Sequence, residues 1–395
     1  MTRRMDVQQR RARLGARHLL AGGGTAGRPE AVAEAMVALH ATDPATVHLA
    51  VAARSAEPDI ARTERALYEE RTLLRMLGMR RTMFVVPTGV APVVQAGCTA
   101  DIARKQRKLL VRHLGEQGYP ENVPEPEAWL AEVSDATERA LLARGAATAQ
   151  QLAEDEPRLR QRLLMSPGKP YAATPNVTSR VLFQLAAEGR IVRGRPRGSW
   201  LSSQYEWSPM AAWLPGGLAE PDEHQARVEL ARRWLYAYGP ARIGDLRWWT
   251  GWTAGQTGKA LAEIGPAEVD LDGTPGLVLP DDLEPVATPA PWVALLPELD
   301  PTPMGWSERG WFLGEYGPRL FDRNGNIGPT VWSDGRIVGG WTQRPDGEVG
   351  YRLLEDIGGE AEAAVEAKAD RLREWFGEVR LVPRFRTPLE RELAS

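Results

Sequence analysis

The order of elements in residues 175–207 constrains the fold of this chain more than any other feature of its sequence. Apolar residues at helical spacing predict a helix that ends at Gly189. Two extended pieces follow, around Ile191–Val192 and Trp200–Trp207, and a basic turn joins them. A helix followed by a strand, a basic hairpin and a second strand is typical of the end of a winged helix. A core-facing helix with a hairpin of no special role is the alternative.

The same order recurs in looser form at two further places. Residues 32–87 predict three helices and then two strands paired about Arg80-Arg81, which again indicates a winged helix. The predicted helices span residues 31–41, 44–53 and 62–71. Residues 224–280 predict an amphipathic helix, two short helices and two strand-like pieces. Because this third segment is acidic, it is assigned mainly to structure.

Two stretches predict linkers, the Pro- and Glu-rich residues 118–127 and the Pro-rich residues 284–292. After the second, short β-rich pieces alternate with Asn-Gly and Asp-Gly turn signals. They predict a compact antiparallel sheet or small barrel, completed by a helix over 360–375 and a last strand near 379–383. The predicted fold is therefore α+β, with three winged-helix motifs followed by a C-terminal small β-barrel. The predicted domains are winged-helix 1 over 1–117, winged-helix 2 over 118–215, winged-helix 3 over 216–288 and the barrel with its terminal helix over 289–395.

The net charge of −3 conceals two basic blocks. Residues 1–118 carry 19 Lys and Arg against 11 Asp and Glu, and residues 157–200 carry 9 against 1. The remainder of the chain is acidic, which excludes a uniformly basic nucleic-acid protein. Basic blocks in an acidic chain indicate a localised phosphate-facing surface. Solvated helix faces paired with acidic neighbours explain the same pattern equally well.

Composition and motifs exclude several classes of protein. No run approaches the roughly 20 apolar residues of a membrane span, and the basic start lacks the apolar core of a secretion signal. With Cys98 as the only cysteine and five histidines, neither a disulfide framework nor a metal site is predicted. The glycine-rich residues 21–27 lack a following Gly-Lys-Ser/Thr and predict a loop. We therefore expect a cytoplasmic bacterial protein with no metal and no cofactor.

Three polar residues at the end of an apolar run are candidates for chemistry. His40 and Thr42 lie two apart before Asp43-Pro44, and Pro44 moves Asp43 out of the helical region so that it can cap the next helix. A histidine beside a hydroxyl can orient a water or accept its proton. On the residues alone, the structural alternative is favoured, in which His40 ends a helix with a satisfied hydrogen bond and Thr42 forms a turn.

Four stretches resemble the winged-helix DNA glycosylases of the AlkZ and YcaQ type over nearly the whole chain. They are ALHATDP, SPGKPYAATPNVTSRVLFQLAAEGRIVRGR, YGPARIGDLRWWTGW, and LLPELDPTPMGWSERG with NGNIGPTVWSDGRIVGGW. The resemblance implies three winged-helix motifs and a C-terminal β-barrel around a DNA channel. It also implies removal of bulky alkylated purines and unhooking of interstrand crosslinks.

The catalytic motif of that family is Gln-hydrophobic-Gln or Gln-hydrophobic-Asp before an acidic residue and Pro. In this chain the matching residues are His40-Ala41-Thr42, followed by Asp43-Pro44, so both glutamines are absent. The resemblance implies that His40 orients the water or accepts its proton, that Thr42 holds the water, and that Asp43 gives electrostatic support.

The sequence therefore predicts a monofunctional DNA glycosylase that acts as a monomer on double-stranded DNA carrying bulky N7-alkylpurine adducts, in repair or self-resistance at the nucleoid. The predicted phosphate contacts are Arg80, Arg81, Lys105, Arg107, Arg193, Arg195 and Arg197. A catalytically inactive winged-helix DNA-binding protein, such as a damage sensor or regulator, is the alternative. A third hypothesis is a protein that sequesters the free genotoxin.

Overall fold

The computed structural model describes residues 3–22 and 26–395, and residues 23–25 of the predicted glycine-rich loop lie outside them. The fold is α+β. The helices are α1 (Val7–Arg17), α2 (Pro29–Ala35), α3 (Pro44–Ala52), α4 (Ile60–Tyr68), α5 (Ala91–Val94), α6 (Ala100–Gln117), α7 (Pro126–Arg144), α8 (Ala149–Asp155), α9 (Thr178–Ala187), α10 (Met210–Trp213), α11 (Glu223–Tyr238), α12 (Ile243–Thr250), α13 (Ala254–Ile264), α14 (Gly310–Leu313), α15 (Gly317–Leu320), α16 (Gly359–Phe376) and α17 (Pro388–Ala394). The strands are β1 (Arg3–Arg4), β2 (Leu39–His40), β3 (Leu73–Leu77), β4 (Met83–Pro87), β5 (Gly118–Tyr119), β6 (Arg162–Leu163), β7 (Ile191–Pro196), β8 (Tyr205–Pro209), β9 (Ala267–Asp270), β10 (Pro275–Val278), β11 (Val293–Leu296), β12 (Thr330–Ser333), β13 (Arg336–Gln343) and β14 (Val349–Leu353).

The N-terminal hairpin forms about Arg80-Arg81, as the sequence predicts. Strands β3 and β4 pair antiparallel, and a single 3-10 turn over Met79–Arg81 joins them. Both Arg80 and Arg81 have positive φ angles, of 54° and 62°. Side chains rarely adopt this conformation, which costs about 1–2 kcal/mol per residue, so the turn carries its two arginines at an energetic cost.

The helix predicted over 31–41 is wrong at its C-terminal end. Helix α2 ends at Ala35, and Val37 has a φ of 63°, which breaks the helical path. The chain then forms the two-residue strand β2, in which His40 lies opposite Phe84 of β4. Pairing with a strand more than forty residues away outweighs the local helical pattern, so His40 lies in a sheet rather than at a helix end.

Helix α9 is enclosed by the protein along most of its length. Val181, Leu182, Gln184 and Leu185 are all buried, and the helix packs against α6 and α7. The structure therefore favours the core-facing alternative for this helix. The hairpin that follows does form, with β7 and β8 paired antiparallel and a bulge between Arg193 and Pro196.

Helices α11, α12 and α13 precede a third hairpin, made by β9 and β10. Strand β1, which the sequence did not predict, pairs in parallel with β9. This contact brings the beginning of the described chain onto the third hairpin.

The C-terminal strands form a sheet in the order β11-β12-β13-β14, with α16 packed against it. In the part of the chain that the structure describes, this sheet is open, so of the two predicted alternatives a sheet is present and a closed barrel is not. The strand predicted near 379–383 is also wrong. There the Gln343 side chain accepts from the Leu381 N–H at 2.7 Å and donates to the Val379 carbonyl at 2.9 Å, which replaces strand pairing.

A buried ion pair joins the N-terminal part of the chain to the C-terminal part. The Arg54 guanidinium donates to both oxygens of Asp300, at 2.8 and 2.7 Å, and neither side chain is exposed to solvent. Arg54 also donates to the His18 carbonyl at 2.9 Å and to the Thr302 hydroxyl at 2.8 Å. Three segments that are distant in sequence, around His18, Arg54 and residues 300–302, are thereby held at one point.

Candidate active site

The segment from His40 to Asp43 leaves the sheet and enters helix α3. The N–H of Ala41 still donates to the Met83 carbonyl, at 2.8 Å, and Asp43 then takes an extended conformation before Pro44. The Asp43 carboxylate accepts from the Ala45 N–H at 2.9 Å and caps α3. Pro44 is the reason for this geometry, because it disfavours the helical region at the residue before it.

His40 and Thr42 each carry a buried polar atom that has no partner among the described residues. These atoms are Nδ1 of His40, whose side chain is 5% exposed, and the hydroxyl oxygen of Thr42. The His40 ring packs against Phe84, with ring centroids 5.1 Å apart. Buried polar atoms are nearly always hydrogen-bonded, so both are available to a substrate or a water. This differs from the structural alternative, in which His40 makes a satisfied hydrogen bond.

The imidazole of His40 is uncharged at neutral pH. Burial, and secondly the positive charge of Arg80, lower its pKa to about 3. A neutral imidazole retains one nitrogen that accepts a hydrogen bond. His40 is therefore suited to orient a water, and its low pKa makes it a weak acceptor of a full proton.

Glu298 lies beside the motif and was missed as a site residue, although it belongs to the LLPELDP stretch. Its carboxylate oxygens accept from the N–H groups of Arg384, at 2.9 Å, and Phe385, at 2.8 Å. Burial raises the pKa of Glu298 well above its usual range, and the neighbouring Asp43 carboxylate raises it further. Glu298 and Asp43 are 255 positions apart in the chain, so no local pattern indicates their contact.

Arginines hold the backbone of the motif in place. Arg75 of β3 donates to the Ala41 carbonyl at 2.8 Å, and Arg384 donates to the Thr42 carbonyl at 3.3 Å. Arg75 is buried, and two of its guanidinium nitrogens have no partner in the described chain. Sequence reasoning missed it, although a single charged residue within the apolar strand LLRML is a signal that could have identified it.

The four predicted phosphate contacts in the N-terminal part of the chain differ in exposure and in ion pairing. Arg80 is partly buried and stacks on Trp248, 3.9 Å from the ring centroid, whereas Arg81 is exposed at the turn. Lys105 is exposed on α6. Arg107 pairs with two carboxylates, which reduces the charge that it can offer to a phosphate.

The other three predicted phosphate contacts lie on the hairpin of β7 and β8. Arg193 is partly buried and lies 4.5 Å from the Tyr205 ring centroid. Burial, and secondly the positive charges of Arg75 and Arg384, lower the pKa of Arg193 to about 10. Arg195 pairs with Glu69 at 2.8 Å. Arg197 is exposed and forms no ion pair within the described residues.

No group of three His, Cys, Asp or Glu side chains within residues 3–22 and 26–395 is placed to hold a metal ion. Over the same residues, no helix combines the length and the apolar character needed to span a membrane.

Comparison with known proteins identifies the class as DNA glycosylase. The family model described as DNA glycosylase AlkZ-like matches residues 33–375. The chain belongs to this AlkZ-like family. Among solved structures it is similar to the DNA glycosylase AlkZ of Streptomyces sahachiroi, with a TM-score of 0.71 and 22% identity, over 96% of this chain and 99% of that one. No curated protein matches the sequence.

Acid is expected to destabilise this fold from about pH 6.5 downwards. Burial lowers the pKa of His18, His40 and His48 to about 3, so the stability that these neutral histidines contribute is present above pH 6.5 and is lost as the pH falls towards 3. Over this pH range, each histidine lowers the free energy of unfolding by about 1.4 kcal/mol for every unit by which the pH falls. The raised pKa of Glu298 acts in the opposite sense, since its contribution is lost as the pH rises, but it is one group against three.

The measurement is the free energy of urea unfolding between pH 5 and pH 8. His40→Gln keeps a polar neutral side chain. Below pH 6.5 it should reduce the slope of the unfolding free energy against pH by the contribution of one proton, about 1.4 kcal/mol per pH unit. His224→Gln is the matched control, because His224 is exposed and pairs with Glu263. An unchanged slope in His40→Gln would show that His40 is not held neutral by burial.

Proposed function

We propose that this protein is a monofunctional DNA glycosylase that hydrolyses the N-glycosidic bond of bulky N7-alkylated purines in double-stranded DNA. The observation that carries the proposal is the pair of unpartnered polar atoms on His40 and Thr42, at the position of the catalytic motif in the AlkZ-like family. The family membership supports the reaction, and the site supports the way in which this chain performs it.

The chemistry requires electrostatics and positioning more than strong acid catalysis. Alkylation at N7 makes the purine cationic, so it departs as a neutral base when the bond to C1′ breaks. The sugar then develops oxocarbenium character, and a water oxygen adds to C1′ and loses a proton. Enzymes stabilise such charge with preorganised groups and gain further from a positioned nucleophile.

The residues of the site match these requirements. Thr42 and the neutral His40 hold the water by hydrogen bonds, and the Asp43 carboxylate supplies negative charge and accepts the proton of the water. Glu298, whose raised pKa keeps it protonated near neutral pH, lies beside Asp43 without adding a second negative charge. A low pKa is useful at His40, because an imidazolium would repel the oxocarbenium ion. Arg75 and Arg384 keep the motif backbone in position through the Ala41 and Thr42 carbonyls.

The finer architecture belongs to the same proposal. The hairpins β3–β4, β7–β8 and β9–β10 are the wings of three winged-helix units over 1–117, 118–215 and 216–288, and they surround a DNA channel with the C-terminal part over 289–395. Because most of α9 is buried, the hairpin of the second unit, and not a helix inserted in the groove, reads the duplex. Bulky adducts fit poorly into a closed base pocket, so the lesion is read within the duplex.

The protein acts as a monomer in the bacterial cytoplasm, at the nucleoid. Its role is repair or self-resistance to a genotoxin, and crosslinks are a further substrate.

Single-turnover base release tests this function. Duplex DNA with one defined bulky N7-guanine adduct is incubated with excess protein, and the free base is measured against time. Release far faster than spontaneous depurination supports the proposal. Firm binding of the same duplex without release would instead support the non-catalytic DNA-binding protein, which the replacement of both family glutamines favours.

Arg197→Ala should weaken binding to all duplex sequences and lower the slope of log K against log salt by about one, the effect of losing one phosphate contact. Arg197 is exposed on the second hairpin without an ion pair in the described chain, so its charge is free for DNA. The measurement is fluorescence anisotropy with labelled duplex at several salt concentrations. Arg144→Ala, an exposed arginine paired with Asp155, is the control. Equal losses in both variants would contradict a specific role for the hairpin.

A further inference from the structure

A polar cavity lies outside the catalytic motif, between α6, the first turn of α9 and the turn that joins β3 to β4. Its volume is about 270 Å³, ample for a tetrahedral oxyanion. Its polar lining consists of Arg81, Gln106, His113, Ser179, Arg180 and Gln184. None of these residues except Arg81 entered the function derived from the sequence.

The lining of the cavity carries an excess of positive charge. Arg81 and Arg180 form no ion pair with any residue that the structure describes, whereas Arg104, Arg107 and Arg190 nearby are all paired with acidic side chains. Arg180 and Arg112 add positive charge at His113, and Glu116 opposes them there.

Two polar groups of the cavity lining have no protein partner. His113 is 8% exposed, and its Nδ1 is buried and unpartnered among the described residues. Ser179 presents its hydroxyl from the first turn of α9, at the positive end of that ten-residue helix. Unpaired donors, two guanidinium groups and a helix N-terminus together are the features that proteins use for phosphate.

We propose that this cavity binds one backbone phosphate of the DNA substrate, about three nucleotides from the lesion. The inference rests on the proposed function for the identity of the ligand. Arg81 and Arg180 hold the phosphate oxygens from two sides, and His113 and Ser179 donate from within the cavity. The ring of Phe183 lies 5.6 Å from the Arg81 guanidinium and supports its orientation.

The position along the DNA follows from the sheet. Arg81 precedes Phe84 by three residues, and Phe84 lies opposite His40. Three extended residues span about 10 Å, and successive nucleotides of one strand are about 3.4 Å apart along the helix axis. For a DNA strand that runs along β4, this distance places the phosphate cavity about three nucleotides from the catalytic motif.

Methylphosphonate scanning tests the proposal. A set of adduct duplexes carries one neutral methylphosphonate each, at every position within five nucleotides of the lesion on both strands, and the Kd of each is measured for three proteins. These are the wild type, Arg180→Gln and the control Arg323→Gln, an exposed arginine without an ion pair in the described chain. At one position, two to four nucleotides from the lesion, the methylphosphonate should weaken DNA binding by the wild type about tenfold, the effect of losing one charge-assisted contact. The same methylphosphonate should not change the Kd of Arg180→Gln, which already lacks that contact. Arg323→Gln should behave as the wild type.

The assay measures binding and needs no base release, so it tests the cavity even if the protein proves inactive. An identical profile for Arg180→Gln and the wild type overturns the proposal. Binding of inorganic phosphate at His113, seen by NMR, without any coupling to a DNA phosphate also overturns it. Should Arg180→Gln unfold at a lower temperature than the wild type, Arg180→Lys replaces it. That variant keeps the charge but loses the two-pronged contact, and it should show an intermediate sensitivity at the same position.

Discussion

His40→Ala and Thr42→Ala are each expected to slow single-turnover base release about a hundredfold or more, the scale of a lost acid–base or positioning group. Each substitution removes one of the two buried polar atoms that lack a protein partner at the motif. The double variant His40→Ala/Thr42→Ala should lose less rate than the product of the two single losses, because the two side chains hold the same water. Duplex binding should change little, since neither residue carries charge at neutral pH.

Matched variants separate chemistry from structure. Thr42→Ser retains the hydroxyl and should keep most of the rate, and His224→Ala removes a partly exposed histidine that lies outside the site. Rates of His40→Ala and Thr42→Ala within threefold of the wild type, with the wild type active, would show that other groups handle the water. The carboxyl pair of Asp43 and Glu298 would then be the next group to change.

Arg54→Ala is expected to destabilise the fold by about 3–5 kcal/mol, the cost of leaving one partner of a buried pair uncompensated. Arg54 and Asp300 are both fully buried, and the same guanidinium donates to the His18 carbonyl. The free energy of unfolding in urea, followed by tryptophan fluorescence, gives the measurement. Trp306 stacks on His18 at 5.8 Å and lies close to the pair.

Two controls define the origin of the effect. Arg3→Ala removes an exposed pair with Glu284 and should cost no more than about 1 kcal/mol. The double variant Arg54→Met/Asp300→Leu removes both charges and should recover much of the loss, because apolar pairs of similar volume often replace buried ion pairs without cost. A loss as large in the double variant as in Arg54→Ala would show that packing, and not the unpaired charge, sets the penalty.

Local patterns predicted some elements of this protein well. The helix expected over 360–375 forms as α16, and the hairpin about Arg80-Arg81 forms as β3 and β4. Both depend on contacts between residues close in the chain, where periodicity and turn chemistry are informative. The cap at Asp43 follows from Pro44 for the same reason.

Errors occurred where distant segments compete with a local preference. The run before His40 has helical spacing, yet it leaves the helix to pair with β4. Likewise, Gln343 holds the last extended segment through its side chain, so that no further strand joins the sheet. In both cases the deciding hydrogen bonds join residues more than thirty positions apart.

The sequence by itself determined the class of the protein, the position proposed for its catalytic motif and the basic hairpins, because each depends on neighbouring residues. Only the tertiary structure decided the protonation of His40, the partnership of Glu298 with Asp43 and the cavity around Arg180. The physical reason is that burial and the charges of distant residues set these properties. Such electrostatic effects depend on separation in space, which the spacing of residues along the chain does not give.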